Sequence, residues 1–460
     1  MLTVEKIGGT SMSCFGDCLK NIFQKQRTND GLFNRIFIVS AYADVTNWLL
    51  EHKKTGKDGV YSLFASGNGY AEALLTLQAK LIEINHGFTS LGLDTTDADS
   101  YIIDRLKKTK AYLDSIHHIL ASGYVNKEHL LLAAREILAS VGESHSAYNS
   151  VKILNTHGIE TKLVDLSGFY DTDALTIDQR ISKEFRNINF SKTIVVATGY
   201  TSGTEGIMRE FDRGYSEITF AKVAVEVEAD EAIIHKEFHL SSADPKIVGK
   251  ELSVPVGFTN FDVADQLADI GMEAVHPKAS KPLEKKKIAL RIKNTFEPDH
   301  PGTLITTDYI GKESRVEIVT GSKKVALIEI HDSSMVGRPG FDLSILEIFN
   351  KKNISYIMKA TNANSITHVI WEKDVSDNLL SELNARFELV TARNVAVVCA
   401  IGSNIAKPGV LAHAAQTLAA HKINIDCISQ SLRQVNMQFV VSREQYEKAI
   451  IALNSELCVK

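Results

Sequence analysis

Lys6 stands next to last in the run Leu2-Thr3-Val4-Glu5-Lys6-Ile7, which is followed at once by Gly8-Gly9-Thr10-Ser11. A lysine ammonium beside a glycine turn with open backbone N–H groups is what a phosphate needs. Glycine lets the backbone approach an anion closely, and a helix starting from about Ser13 would add the positive end of its dipole. The same residues also serve as a plain strand-to-helix turn. Three further polar clusters carry usable groups. Ser40-Ala41-Tyr42-Ala43-Asp44-Val45-Thr46-Asn47 offers hydroxyls and fresh backbone donors to a carboxylate or phosphate, or a helix cap at Asp44 or Thr46. Ser140-Val141-Gly142-Glu143-Ser144-His145-Ser146 sets Glu143 between apolar helical stretches, where a buried carboxylate needs a cationic partner. A ligand amine or a structural salt bridge meets that need equally well. The segment Arg209–Thr219 holds Arg213 and Gly214 ahead of Ser216 and Glu217, at a helix start. Arg213 can grip a carboxylate through two parallel hydrogen bonds, or it belongs to a surface charge cluster with Ser216 as cap.

The elements that position these groups follow from hydrophobic pattern. Arg35–Val39 is a buried strand, Gly69–Ile84 and Ala98–Leu120 read as helices, and Glu160–Leu166, Thr193–Thr198 and Glu231–His235 read as further strands. Ala221–Val227 is helical, as is Asp262–Gly271. Such alternation predicts a parallel sheet covered by helices, with the polar clusters at strand ends, where open α/β sheets bind ligands. Lys281–Lys287, with Pro282 among four lysines, reads as a solvated connection into a strand at Ile288–Ile292. From Lys323 the pattern changes to two short repeats of strand, Pro-Gly loop, helix, strand, strand. Val325–Ile330 leads through Pro339-Gly340 to a helix at Phe341–Lys351, then 354–360 and 367–371; Val395–Ile401 leads through Pro408-Gly409 to a helix at Val410–His421, then 425–431 and 437–441.

At 460 residues the chain is too long for one core, and about two to four domains are expected. A composition 44% hydrophobic and 23% charged is that of a globular protein, and a net charge of −5 gives no argument for a nucleic-acid partner. Five cysteines in distant segments read as reduced thiols, and no apolar run reaches the length of a membrane helix. A cytoplasmic protein without nucleic-acid or membrane partners is expected.

Taken in order, Lys6-Ile-Gly-Gly-Thr-Ser, Val39-Ser-Ala through Val45-Thr46-Asn47, Ser140-Val-Gly-Glu143-Ser-His-Ser146, Arg213-Gly-Tyr-Ser-Glu217 and Asp244-Pro-Lys-Ile-Val248 make the chain resemble the aspartokinases over nearly its whole length. His276-Pro277-Lys278 and Lys293–Phe296 through Pro301-Gly302-Thr303 resemble that family's connection to its regulatory part, and the repeats resemble its tandem ACT modules. The resemblance implies an amino-acid kinase fold, a parallel-rich sheet between helices, followed by two ferredoxin-like βαββαβ ACT modules. It implies domains at 1–287 (kinase), 288–322 (connection), 323–390 and 391–460 (ACT modules), and a homodimer through the ACT modules. The implied reaction is phosphorylation of the β-carboxylate of L-aspartate by Mg-ATP, feeding lysine, threonine and methionine synthesis.

Under that resemblance Lys6, Arg213 and Glu217 are catalytic, and Ser40, Thr46, Glu143 and Arg213 bind aspartate, with Arg213 on the α-carboxylate and Glu143 near the amine. Lys6, Gly8, Gly9, Ser11, His235, Lys236, Ser241 and Lys246 would contact ATP, with Mg²⁺ bridging its phosphates and no protein metal cluster. Asn404 and Asn424 are the candidate effector contacts. The chain departs from the family's pattern at Met208–Glu217, at His235–Ser241 and at Lys246, where an arginine is usual. These departures, with Glu5-Lys6-Ile7, look like the divergent aspartokinase branch associated with ectoine synthesis. Two alternatives stand: another amino-acid kinase, such as a glutamate or acetylglutamate kinase, and a catalytically impaired amino-acid sensor.

Overall fold

The computed structural model describes residues 1–25, 29–272 and 274–459, so Lys460 at the end of the expected second module lies outside it. Two compact units are formed, one by Met1–His239 with His276–Gly302 and the other by Leu240–Val275 with Thr303–Lys460. In chain order the strands are β1 (Thr3–Ile7), β2 (Arg35–Val39), β3 (Thr161–Val164), β4 (Ile194–Thr198), β5 (Glu231–Lys236), β6 (Phe258–Asn260), β7 (Ala289–Asn294), β8 (Thr303–Thr306), β9 (Ile318–His331), β10 (Tyr356–Thr361), β11 (Ser365–Trp371), β12 (Leu389–Ile401), β13 (Cys427–Ser429) and β14 (Asn436–Val441).

In the first unit six strands form a wholly parallel sheet in the order β3-β4-β2-β1-β5-β7. Every residue of β2 and β4 is buried, which explains their unbroken apolar runs: a parallel strand is covered on both faces. Alternation then sorts the residues of β1. Lys6 pairs in register with Ile38 and Ile234 on one face, and Glu5 with Phe37 and Ile233 on the other. The helix Tyr215–Glu226 lies on the Lys6 face, where Glu217 meets Lys6, and the π-helical turn Leu19–Gln24 on the Glu5 face, where the Phe23 and Phe37 rings are 4.3 Å apart.

The expected helices are Tyr70–Gly87 and Thr95–Ser122, and Ala221–Val227 proves to be the second half of Tyr215–Glu226. Two differences have physical causes. The helix after the glycine turn begins at Gly9, not near Ser13, because Gly8 already takes the extended cap conformation, φ −72° and ψ 160°. Lys281–Lys287 is not a solvated connection but most of the helix Pro277–Lys286. His276 caps that helix and Pro277 fits its first turn, while Ala279, Ser280 and Leu283 are buried and the lysines run along the other side. The strand expected at Ile288–Ile292 is present as Ala289–Asn294, the last strand of the parallel sheet.

The second unit holds a six-stranded antiparallel sheet, β10-β11-β9-β12-β14-β13, besides the short parallel pair β6 and β8. Both expected repeats are present, with helices at Phe341–Lys351 and Val410–Ala420. Their boundary is not a cut at residue 390. Strands β9 and β12 are long and pair antiparallel along their whole length, with a register shift between Val395 and Val397. Val325–His331 of β9 pairs with Leu389–Val395, closing the first repeat, while Ile318–Ser322 pairs with Val397–Ile401 beside β14. The second repeat therefore takes its fourth strand from residues that precede the first. Residues 240–275 belong to this unit because Ala243 and Val248 share a core with Val319, Val398, Leu418 and Phe439.

Candidate active site

The first turn of the helix Tyr215–Glu226 organises the site. Arg213, on the 3₁₀ turn Asp212–Gly214 leading into it, donates Nη1 to Asn47 Oδ1 at 2.6 Å and Nη2 to the Glu51 carbonyl and, at 3.1 Å, to its Oε1. Glu51 is also gripped by Arg135 through two bonds of 2.8 Å, so two guanidiniums share it. These neighbours hold the Glu51 carboxyl below its ordinary range, first through the Arg135 hydrogen bonds. Sequence reading missed Glu51, Arg135 and Tyr215. Tyr215 stood inside the quoted motif, but nothing local in the sequence marks the other two.

Glu143 sits in the middle of the helix Lys127–Thr156, inside a stretch buried from Leu138 to Ala147. Its carboxylate accepts from Tyr215 Oη at 3.1 Å and Ser216 Oγ at 3.1 Å. Both donors are hydroxyls. Burial pushes its pKa up to about 7, the Ser216 and Tyr215 hydrogen bonds opposing only part of that. The structural salt bridge open to Glu143 from sequence is thus absent among the described residues. Thr46, on the short helix Val45–Leu49, hydrogen-bonds the same Tyr215, and Ser40 ties the end of β2 into this region, its N–H donating to Ile7 O and its carbonyl accepting from Ser146 Oγ.

Lys6 Nζ lies 3.5 Å from Glu217 Oε1, and Glu217 Oε2 accepts the His276 backbone N–H at 2.7 Å. Burial would raise the Glu217 carboxyl, but the Lys6 charge, then Lys236, then the His276 N–H hold it below the usual range. Lys236 extends β5 on the Lys6 face, continuing Ile234, and so belongs with this group. Gly9 packs so tightly that a side-chain carbon there would come within 2.7 Å of Ala41 O, whereas Gly8 has room and its N–H is taken by His235 O at 3.4 Å.

Two predicted nucleotide residues are corrected. His235 alternates to the opposite sheet face, where its Nε2 lies 2.8 Å from Glu5 Oε2; its backbone, not its ring, serves the glycine turn. Ser11 is fully buried with its hydroxyl 3.0 Å from Thr295 Oγ1, so it fastens the turn to the loop after β7. Ser241, bridged to Pro255, and Lys246, exposed on the short helix Pro245–Val248, fall in the second unit, as do Asn404, whose Nδ2 donates to Gly311 O at 2.7 Å, and Asn424, which donates to Asp426 Oδ1 at 2.8 Å.

A buried carboxylate, a clamped guanidinium and an ammonium thus gather around the first strand of the parallel sheet. The sequence profile of the Amino acid kinase family matches residues 1–294 and that of the ACT domain residues 398–457. The chain is 45% identical to the aspartate kinase Ask_Ect of Stutzerimonas stutzeri over 99% of its own length and 97% of that protein's, and 25% identical to the chloroplastic aspartokinase 2 of Arabidopsis thaliana over 91% and 78%. The fold is that of Clostridium acetobutylicum aspartate kinase, with a TM-score of 0.75 at 20% identity over 99% of this chain and 100% of that one. Escherichia coli aspartokinase III, solved with aspartate and ADP, gives 0.72 at 19% identity over the same shares. The chain belongs to the amino acid kinase family and, within it, to the aspartate kinases. No described helix is long and apolar enough to cross a membrane.

Proposed function

We propose that the cluster around the first turn of Tyr215–Glu226 is where this chain performs the aspartate kinase reaction: an oxygen of the L-aspartate β-carboxylate attacks the γ-phosphorus of ATP, the bond to the β-phosphate oxygen breaks, and 4-phospho-L-aspartate and ADP leave. The observation that carries the reading is Glu143, a buried carboxylate whose partners are hydroxyls. The substrate ammonium completes its pairing and restores its ionised form. Arg213, held by Asn47 and Glu51, would turn to receive the α-carboxylate, with Thr46 and Ser40 as further proposed aspartate contacts.

Lys6 meets the charge that spreads over the transferred phosphoryl oxygens, and Glu217 holds that ammonium in place between turns of the reaction. Gly8 and Gly9 bring the backbone close to the phosphates, with Lys236 adding positive potential on the same face. Mg²⁺ would neutralise phosphate charge when bound with the nucleotide. Ser241 and Lys246 stand as proposed nucleotide contacts, and the kinase and ACT boundaries as proposed functional divisions. The relative's name supports the ectoine-associated branch expected from the motif departures.

A homodimer through the ACT repeats is proposed, with Tyr356 of β10 and Ile428 of β13, each 41% exposed, offered as its contacts. A cytoplasmic location goes with this reading. Asn404 and Asn424 are proposed to sense the effector. The test is ADP release with Mg-ATP and L-aspartate, L-glutamate or N-acetyl-L-glutamate, with hydroxylamine trapping of the acyl phosphate. Turnover with aspartate alone and a hydroxamate product is expected; turnover with none would favour a sensor.

A further inference from the structure

On the sheet face opposite Lys6, a cavity of about 270 Å³ opens between β1, β2, β5, β7 and the loop that follows β7. It is lined by Glu5, Arg35, His235, Arg291, Lys293 and Thr295, among others. Three basic side chains, Arg35, Arg291 and Lys293, thus share the lining with one carboxylate, Glu5. Strand register produces this: Ile233 of β5 stands beside Glu5 and Arg291, and His235 beside Lys293, so alternate residues of neighbouring strands all point one way.

Arg35 is the telling residue. It is 2% exposed, its Nε and Nη2 donate to Glu5 at 2.6 and 2.9 Å, Nη2 also reaches Ile22 O at 3.0 Å, and its plane lies over the Phe37 ring at 4.5 Å. These contacts fix the guanidinium, yet among the described residues its buried Nη1 has no hydrogen-bond partner. An orphaned donor of a charged group is costly, and a protein keeps one where something else satisfies it. Arg291 is held by Glu231 at 2.5 Å and by Pro301 O at 3.1 Å, and Lys293 Nζ reaches Pro298 O at 3.3 Å, so both heads are gathered at the same rim. The space is several times the ~30 Å³ share of a water molecule.

We propose that this cavity binds a small oxyanion, a phosphate or a carboxylate group, as a second anion site behind the catalytic sheet. Its wall is shared with the glycine turn: Thr295 meets Ser11, and His235 O accepts from Gly8 N–H. An occupant therefore stands one hydrogen bond away from the residues beneath the proposed nucleotide phosphates.

The experiment follows the melting temperature of the full chain at constant ionic strength during titration with inorganic phosphate and, separately, with acetate. The variants are Lys6→Ala, which removes the ammonium of the active site, and Lys293→Gln and Arg291→Gln, both only half-buried and so expected to fold. A saturable rise with either anion is expected, kept in Lys6→Ala and moved to roughly tenfold higher anion concentration in Lys293→Gln and Arg291→Gln, the loss of one charged hydrogen bond. A rise with phosphate only assigns a phosphate group, and with acetate only a carboxylate. No saturable rise with either anion overturns the proposal. So does a rise that vanishes in Lys6→Ala, or one that neither Lys293→Gln nor Arg291→Gln alters.

Discussion

Lys6 Nζ and Glu217 Oε1 stand 3.5 Å apart across the face of β1, joining the first strand of the chain to a helix that begins more than two hundred residues later. The pair keeps the ammonium aimed along that face. It also means that Lys6 cannot be removed without leaving Glu217, only 17% exposed, facing Lys236 and one backbone N–H.

Lys6→Ala is expected to lower kcat by about 10²–10³-fold or more, the loss typical of a donor aimed at developing transition-state charge. Measured by ADP release, with circular dichroism to follow the fold, the variant should melt cooperatively. Near-normal turnover would remove the phosphoryl role given to Lys6.

Arg213→Ala should raise the KM for aspartate and reduce kcat/KM by about 2–5 kcal/mol equivalent, while the KM for ATP stays near that of the parent. Glu51 keeps Arg135 as a bidentate partner, so the local fold is expected to survive. Arg213→Lys should be nearly as impaired, because an ammonium cannot hold two carboxylate oxygens in one plane. A change confined to ATP would contradict the assignment.

Glu143 gives a pH signature. With its pKa near 7, the carboxyl is largely protonated below neutrality and cannot pair an ammonium, so kcat/KM for aspartate should fall as pH drops through about 7. Stability moves the other way. Between the ordinary carboxylate range and pH 7 the folded chain holds a proton that the unfolded chain has released, so this group makes the fold less stable as pH rises through that window. Glu143→Gln should abolish both dependences, losing aspartate turnover while melting no lower than the parent at pH 8. Melting curves at pH 6 and 8 beside initial rates decide it; a Gln variant that keeps aspartate affinity would exclude the ammonium contact.

Gly321 lies where β9 passes β12, and a side-chain carbon there would run into the carbonyl of Val397. Gly321→Ala should therefore loosen the pairing of Ile318–Ser322 with Val397–Ile401 and lower the melting temperature of the ACT unit. Hydrogen exchange should rise first in β9 and β12. Unchanged protection there would mean that the strand does not close the second repeat.

Much of this was legible in the chain. The buried strands of the first unit announced themselves as apolar runs, Glu143 stood out because a carboxylate clashes with its apolar setting, and Arg213 because it precedes a helix start and can grip a carboxylate. What escaped reading depends on register and on long-range contact. Whether His235 or Lys236 shares a face with Lys6 is decided by one residue of alternation against β1. Ser11 looks like a phosphate ligand until Thr295, far along the chain, takes its hydroxyl. The lysine-rich stretch 281–287 hid a helix because its buried side rests on Ala279, Ser280 and Leu283, small or single residues amid charge. Repeats announce themselves by order and spacing, but not by which copy lends a strand to the other.

That loan shapes how the chain can be cut, built and moved. A truncation after residue 390 would leave Ile318–Ser322 as half of a stiff ribbon with no neighbour, an open edge inviting aggregation. Excising the first repeat alone would sever the strand from the copy it completes. At about 3.4 Å per residue the 14 residues of β9 make a rod of roughly 45 Å on which both repeats are threaded. A twist imposed on one repeat would pass to the other along a single covalent strand, through the register shift opposite Val395 and Val397.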